Sequence, residues 1–322
     1  MGESEFWVLI LVEGKEKDGS CIDFTIEDIQ SFVTEFTEAN VIGSGAFGLV
    51  YRGLISSDNK HGIDPQAVAV KKSFGLTEEH HIQFEAEISF GSILNHPNIV
   101  NLIGYCDGPE NLYLIYEFVP NGSVANHLQE LTWDKCLKVI KGVVSAIDYM
   151  HGFSDSIVHG DVKPHNMLLT MDFDVKLADF GHAKREGQRV ISGAVGSGYI
   201  PTRAVRAEKR NDLYGVGTVI LQLLWKKNHR LKDSFHQWEH IRNYAVKNQR
   251  KGAHLKLRLS GCSAATGKKL NTLALTCVPD SMEEDEHHYP TIAEISAELR
   301  HVGVNKIISK LYNSKLKKDL DI

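Results

Sequence analysis

The feature that most constrains the fold of this chain is an ordered set of polar residues near its middle. Asp161 is followed by Lys163 two positions later and by Asn166 five positions later, and Asp179-Phe180-Gly181 begins 18 residues after Asp161. Side chains of these types at this spacing can orient a hydroxyl group, neutralise a phosphate and hold a metal ion such as Mg²⁺. Each piece alone fits a surface loop, but the ordered set is very improbable by chance.

A glycine-rich segment lies much earlier in the chain. Gly43, Gly45 and Gly48 stand between two short stretches that are rich in β-branched residues. Glycines at this spacing let backbone N–H groups approach a phosphate closely. Dinucleotide-binding folds share the spacing, but their last glycine opens a helix, whereas Leu49-Val50-Tyr51 favours a strand here. A plain hairpin turn is the alternative for this motif taken alone.

Lys71 ends the short apolar strand that is predicted at 67–70. A buried lysine needs a partner for its charge, and both nucleotide phosphates and a carboxylate on the next helix fit that role. Glu87 lies 16 residues later in a stretch with helical spacing. Glu85 is the competitor, but two residues of helix turn it about 200° away. Lys72 is expected on the opposite face of the strand.

The periodicity of the apolar residues changes near residue 120. Short β-branched and aromatic segments dominate before this point, whereas helical patterns cover 137–151 and 212–225 after it. This order predicts an α+β fold, with a small β-rich N-lobe that contains one principal helix and a larger helical C-lobe. The predicted parts are a leader at 1–38, the N-lobe and hinge at 39–119, the C-lobe at 120–302 and a basic tail at 303–322.

Composition excludes several classes of function. The net charge of −5 gives no electrostatic argument for nucleic acid binding. The five cysteines form no C-x-x-C pair, which argues against a zinc ribbon and fits a reducing compartment. The apolar run at 6–12 is too short to span a bilayer and lacks the flanks of a signal peptide. We therefore expect a cytoplasmic protein without a transmembrane segment. Peripheral attachment to the plasma membrane is the alternative.

Together these motifs resemble those of a eukaryotic protein kinase over residues 22–302. The stretches at 98–106, 114–123 and 131–133 resemble plant receptor-like and receptor-like cytoplasmic kinases in particular. The resemblance implies the two-lobed protein kinase fold, ATP and Mg²⁺ in the cleft, protein substrates and an upstream receptor complex. Lys163 followed by proline resembles Ser/Thr kinases. We predict a Ser/Thr kinase, with a nucleotide-binding pseudokinase that acts as a signalling scaffold as the alternative.

The resemblance also implies roles for individual residues. Asp161 receives the proton of the substrate hydroxyl, and Lys163 steadies the γ-phosphate. Lys71 contacts the α- and β-phosphates and pairs with Glu87. Tyr116 is the gatekeeper, and 117–119 form the hinge that holds adenine. The metal ligands are Asn166 and Asp179. The ATP-binding positions are Ile42, Gly43, Gly45, Gly48, Val50, Ala69, Lys71, Tyr116, Glu117, Phe118, Val119 and Leu168.

Two glycines depart from the family pattern. Gly160 precedes Asp161 where most kinases have an arginine that pairs with a phosphate on the activation loop. This position therefore resembles the non-RD class. Gly91 stands four residues after Glu87, where the family packs an apolar side chain, and glycine costs a helix interior about 1 kcal/mol relative to alanine. We expect a gap in the stack of Leu102, His159 and Phe180, with Phe90 as the candidate to fill it, and a larger population of the inactive, helix-out state.

The substrate-side segment departs as well. Pro201-Thr202-Arg203 stands where the family has proline and glutamate, and Tyr289 stands where it has the arginine that pairs with that glutamate. Losing one partner leaves a buried charge and costs roughly 3–5 kcal/mol, whereas losing both is tolerable. We expect a C-lobe that folds but holds peptide substrates poorly.

Overall fold

The computed structural model of the chain describes residues 21–45, 47–190, 199, 206–228, 230–232, 238–279, 289–300 and 302. The predictions for residues 1–20, for Pro201-Thr202-Arg203 and for the tail at 303–322 fall outside these residues. The predicted two-lobed α+β architecture is confirmed: a β-sheet lobe precedes a helical lobe.

The N-lobe is built on a six-stranded sheet. Its strands are β1 (Ile22–Asp23), β2 (Val41–Ser44), β3 (Gly48–Ile55), β4 (Gln66–Ser73), β5 (Leu102–Asp107) and β6 (Leu112–Glu117). They follow the order β1-β5-β6-β4-β3-β2. Val68, Val70 and Ile115 are fully buried, because alternate side chains of β4 and β6 share the core face of the sheet.

Nine α-helices lie within the described residues, and no helix there is long and apolar enough to cross a membrane. They are α1 (Ile26–Phe32), α2 (Glu78–Gly91), α3 (Val124–His127), α4 (Trp133–His151), α5 (Lys209–Trp225), α6 (Ile241–Asn248), α7 (Leu255–Leu259), α8 (Ala264–Cys277) and α9 (Ile292–Arg300). The first two belong to the N-lobe, and α2 is the principal helix that the sequence predicts there.

The described part of the predicted leader packs on the N-lobe sheet. Strand β1 lies parallel to β5, with Ile22 opposite Gly104. Helix α1 begins with a capping box, in which Thr25 and Asp28 accept hydrogen bonds from each other's backbone N–H groups. A Cβ atom at Gly104 would lie 2.3 Å from the Phe24 ring. Glycine at this position therefore lets the segment pack on the sheet.

Asp28 also connects α1 to the hairpin between β3 and β4. Its carboxylate lies 3.1 Å from Lys60 Nζ and 3.1 Å from His61 Nε2. Burial raises the pKa of Asp28, but hydrogen bonds from the Thr25 backbone, His61 and Lys60 outweigh that effect. The pKa is therefore held well below its ordinary value of 3.8. The carboxylate thus remains ionised and holds the two elements together.

Helices α4 and α5 form the centre of the C-lobe. Helix α4 buries the predicted face, including Ile140, Val143 and Met150, because apolar residues recur on it with helical period. Helix α5 is buried over almost its whole length, including the carboxylate of Asp212. The short strand pairs of this lobe are β7 (Ile157–Val158) with β10 (Lys184–Arg185), β8 (Met167–Leu169) with β9 (Val175–Leu177), and β11 (Arg230–Lys232) with β12 (Trp238–His240).

Candidate active site

Lys71 lies at the centre of a three-residue ionic cluster. Its Nζ atom is 2.9 Å from Glu87 Oε1 on α2 and 2.9 Å from Asp179 Oδ1, which follows β9. The contact between Lys71 and Glu87 is the one that the sequence predicts. The competitor Glu85 is exposed. Lys72 projects from the other face of β4, with Nζ 4.9 Å from the centre of the Phe36 ring.

The electrostatics of this cluster favour its charged form. Burial lowers the pKa of Lys71, but the charges of Asp179 and Glu87 outweigh it and raise that pKa. Lys71 in turn holds the pKa of Asp179 below its ordinary value. Burial raises the pKa of Glu87, and the charge of Lys71 opposes that increase. Glu87 Oε2 also accepts a hydrogen bond from Phe180 N at 2.9 Å. Because two donors converge on this carboxylate, we assign it as ionised.

The expectation of a gap at Gly91 is wrong. A Cβ atom there would lie 2.8–2.9 Å from side-chain atoms of Leu102, so Leu102, rather than Phe90, occupies the space. The stack continues with Phe180, whose ring centre is 5.0 Å from that of His159. The helix-out expectation also fails for this structure, because α2 is held inward by the ion pair with Lys71. Glycine here allows close packing instead of leaving a void.

Asp161 and its neighbours form a compact polar loop between β7 and β8. Asp161 Oδ2 lies 2.5 Å from Lys163 Nζ and 2.9 Å from Asn166 Nδ2. The same asparagine nitrogen donates to the Asp161 carbonyl at 3.0 Å. Within the described residues, Asp161 Oδ1 and Asn166 Oδ1 accept no hydrogen bond. The loop therefore leaves one carboxylate oxygen and one amide oxygen available to accept a hydrogen bond or to bind a metal ion.

Asp179 is placed by an unusual backbone conformation. Its φ of +70° lies in the left-handed region, which is uncommon for a residue other than glycine. The carboxylate of Asp179 contacts Lys71, while the next side chain, Phe180, is only 1% exposed in the core. This conformation thus separates a polar residue in the cleft from an apolar anchor beneath it.

Asp212 supports the loop and was not recognised as a functional residue in the sequence. Its Oδ2 atom accepts hydrogen bonds from His159 N and His151 Nε2, and its Oδ1 atom accepts one from Gly160 N, each at 2.9 Å. Asp212 is 1% exposed. The sequence did contain a signal for this role: Asp212 is a carboxylate in an almost wholly apolar helix. A buried charge of this kind needs hydrogen-bond donors nearby.

Gly160 adopts a conformation that suits glycine. Its φ is +75°, and a Cβ atom there would lie 3.0 Å from the carbonyl oxygen of His182. The next residue, Asp161, donates its backbone N–H to His159 Nδ1 at 3.2 Å. The loop is therefore held from within and by Asp212, although the family arginine is missing.

The predicted nucleotide-binding residues come from β2, β3, β4, β6 and β8 and from the segment after β6. Strand pairing sets Val50 opposite Lys71 and Ala69 opposite Tyr116. Val50, Ala69 and Leu168 are apolar but only half-buried. Such positions suit a flat apolar ligand like a purine ring.

The hinge also fits a nucleotide. Val119 is buried, yet its backbone N–H has no hydrogen-bond partner among the described residues. Because unpaired buried N–H groups are rare in folded proteins, this donor suits a ring nitrogen of adenine. Burial and the charge of Glu87 raise the pKa of Tyr116 well above its ordinary value, so its hydroxyl group stays neutral. The donor set and the carboxylates therefore fit ATP with Mg²⁺.

Comparisons with known proteins agree with this geometry. The chain is 31% identical over 275 residues to EPD1-interacting receptor-like cytoplasmic serine/threonine-protein kinase 5D of Gossypium barbadense, covering 79% of this chain and 59% of that protein. It is 35% identical over 235 residues to the Arabidopsis thaliana protein named probable serine/threonine-protein kinase PBL22, covering 67% and 60%. It is 37% identical over 220 residues to L-type lectin-domain containing receptor kinase V.7 of Arabidopsis thaliana, covering 62% and 32%.

These relatives confirm the resemblance to plant receptor-like and receptor-like cytoplasmic kinases. The chain spans between 32% and 60% of the length of these three relatives. Residues 36–307 match the family described as the protein kinase domain, a family that uses ATP and a divalent metal ion. This chain therefore belongs to the protein kinase domain family.

Proposed function

We propose that the chain is an active protein kinase that transfers the γ-phosphoryl group of ATP to Ser or Thr hydroxyl groups of proteins. The observation that carries the proposal is the convergence of Lys71, Glu87 and Asp179 into one ionic cluster. The Asp161 loop is also formed, with Asp161 hydrogen-bonded to Asn166. Two loops of the C-lobe and a strand and a helix of the N-lobe supply these groups. A protein that only binds partners has no need of all of them.

Each residue has a distinct part in this proposal. Asp161 orients the substrate hydroxyl and accepts its proton, because its second carboxylate oxygen accepts no hydrogen bond from a described residue. Lys163, 2.5 Å from Asp161, places a positive charge where the transferred phosphoryl group gains negative charge. Lys71 positions the α- and β-phosphates, and Glu87 fixes the direction of its side chain.

A bound Mg²⁺ ion would neutralise phosphate charge, and Asn166 and Asp179 are the residues that would hold it. The side chain of Asn166 donates two hydrogen bonds through Nδ2, so its Oδ1 atom is available. Asp179 keeps an ionised carboxylate because Lys71 lowers its pKa. Oxygen ligands of this kind suit Mg²⁺.

We further propose non-RD regulation and a role in receptor-like signalling. Gly160 provides no cation for a phosphate on the activation segment, and Asp212 already holds its backbone. Control through such a phosphate is therefore expected to be weak. The relatives named as receptor-like kinases support a place in receptor-like signalling. The partners in this proposal are protein substrates and an upstream receptor complex at the plasma membrane.

Phosphate transfer from radiolabelled Mg-ATP tests the proposal, with autophosphorylation and a basic carrier protein as acceptors. Asp161→Asn and Lys71→Met are expected to lower the rate by at least about 100-fold, and phosphoamino-acid analysis should give phosphoserine or phosphothreonine. Lys72→Met and Glu85→Gln are matched controls, because each neighbours a site residue but faces away from the cleft. Both are expected to retain activity.

Two outcomes would contradict the proposal. Label that survives in Asp161→Asn would remove the assigned base. A wild-type chain that shows an Mg-ATP-dependent thermal shift, lost in Lys71→Met, but transfers no label would be a nucleotide-binding pseudokinase. Phosphate transfer and thermal shift are measured on the same protein preparations. A variant that is misfolded can then be recognised because its Tm without ligand is lower than that of the wild type.

A further inference from the structure

A buried lysine and a buried cysteine lie in contact within the C-lobe, outside the site described above. The Nζ atom of Lys226 is 3.2 Å from the Sγ atom of Cys136. Lys226 is 3% exposed and Cys136 is fully buried. Cys136 lies in the first turn of α4, and Lys226 directly follows the last residue of α5. The contact therefore joins two central helices of the lobe through residues far apart in the chain.

The lysine is held in this position by its backbone. Lys226 caps α5 in the left-handed conformation, with φ +57° and ψ +45°, where glycine is usually preferred. Its carbonyl oxygen accepts a hydrogen bond from Gln129 Nε2 at 2.7 Å. Within the described residues, no carboxylate lies within ion-pair distance of its amine. A buried lysine ordinarily requires such a partner, so the sulfur atom is an unusual substitute.

The two groups modify each other's chemistry. Burial lowers the pKa of Lys226, and the adjacent Cys136 opposes this decrease. Burial raises the pKa of Cys136, and the adjacent Lys226 opposes this increase. The amine thus loses its proton more easily than a surface lysine does, while the thiol loses its proton more easily than its burial alone would allow. The lowered pKa of the amine favours its neutral, nucleophilic form, whereas the pKa of the thiol stays above its ordinary value. The short contact between Nζ and Sγ, rather than an activated thiolate, therefore favours a bond between the two groups.

We propose that Cys136 and Lys226 form a redox-controlled modification site, where a peroxide oxidant joins Sγ to Nζ through one oxygen atom. One thiol, one neutral amine and two molecules of hydrogen peroxide give one S–O–N bridge and three molecules of water. The S–H bond and one N–H bond break, and the S–O and O–N bonds form. Sulfur and nitrogen are oxidised, and both peroxide O–O bonds are reduced.

The position of the pair allows peroxide to reach it and gives the bridge a measurable effect on stability. The exposed Gln129 is hydrogen-bonded to the Lys226 carbonyl oxygen, so the pair lies one residue contact from the surface, and a local opening there would admit a molecule as small as peroxide. The bridge would fasten the start of α4 to the end of α5 and constrain the unfolded chain between residues 136 and 226. Oxidation should therefore raise the Tm by several degrees. It should leave phosphate transfer nearly unchanged, because no residue of the proposed active site is modified.

Peptide mapping of the full chain tests the proposal. The protein is treated with hydrogen peroxide, digested without reductant and analysed by mass spectrometry. The expected product links the Cys136 and Lys226 peptides with a gain of about 14 Da, one oxygen added and two hydrogens lost, and dithiothreitol reverses it. Met171, which is 73% exposed, should become the sulfoxide and shows that peroxide acted. Cys277 is the matched buried cysteine, because its sulfur contacts the Leu273 carbonyl rather than an amine.

Two variants separate the bridge from other oxidation. Lys226→Met and Cys136→Ser should each abolish the linked peptide and the rise in Tm on oxidation. Oxidised Met171 without any linked peptide in the wild type would overturn the proposal. A linked pair that lacks the added oxygen, or an equal rise in Tm in Lys226→Met, would do the same.

Discussion

Replacing Asp212 by asparagine tests the support that only the structure revealed. The carboxylate accepts three hydrogen bonds of 2.9 Å, from His159 N, Gly160 N and His151 Nε2. Asparagine has nearly the same shape, but only one of its two terminal atoms can accept. Whichever way the amide is oriented, its NH₂ group faces at least one N–H donor of the loop.

The magnitude follows from this count. A hydrogen bond to a charged group contributes roughly 1.5–3 kcal/mol, and the bonds that remain in Asp212→Asn lose their charge assistance. We expect the free energy of unfolding to fall by about 2–4 kcal/mol. A shift of the Asp161 loop by about 1 Å is enough to lower kcat about 100-fold. The effect on kcat should exceed the effect on the KM for ATP, because the hinge is not attached to Asp212.

Urea denaturation and steady-state phosphate transfer measure the two effects. Asp172→Asn is the control, because it is the same chemical change at an exposed residue. Asp172 lies in the turn between β8 and β9. The reasoning would be refuted if Asp212→Asn kept the wild-type midpoint in urea together with the wild-type kcat. A stable but inactive variant would still support the positioning role.

Three further predictions concern residues outside the loop. Gly91→Ala places a methyl group 2.8 Å from the Leu102 side chain, so we expect a cost of about 1–3 kcal/mol and slower phosphate transfer; an unchanged rate would show that α2 adjusts freely. Gly104→Ala should lower the Tm by disturbing Phe24, whereas Gly75→Ala, which has open space around it, should not. Asp28→Asn should destabilise the protein at pH 7. Because folding lowers the pKa of Asp28, this difference from the wild type should be full above about pH 4 and should shrink as the pH falls below 3.8; a constant difference would contradict the assignment.

The sequence was informative wherever function requires fixed residue types at short spacing. The Asp161, Lys163 and Asn166 set and the glycine-rich segment are local patterns, and the change from strand to helix near residue 120 follows from side-chain periodicity. The angle between successive residues on a helix shows that Glu87 and Glu85 cannot face the same side, and the resemblance to protein kinases indicated Glu87 as the partner of Lys71. Each of these inferences depends on geometry within one element.

The inference at Gly91 failed for a reason that is also physical. A missing side chain leaves a void only if no neighbour moves into the space, and the sequence does not say how closely Leu102 of β5 approaches α2. Leu102 lies against Gly91. The glycine that suggested a weakened stack therefore allows the stack to pack closely. Packing between elements is set by the whole core, and a family pattern read at one position does not reveal it.

The sequence by itself determined the two-lobed fold, the polar residues of the candidate site and their approximate partners. Only the tertiary structure decided that Asp212 holds the loop, that β1 and α1 complete the N-lobe, and that Lys226 meets Cys136. These contacts join residues tens of positions apart, where chain periodicity carries no information. They arise because buried donors and charges must find partners in whichever elements the fold brings together.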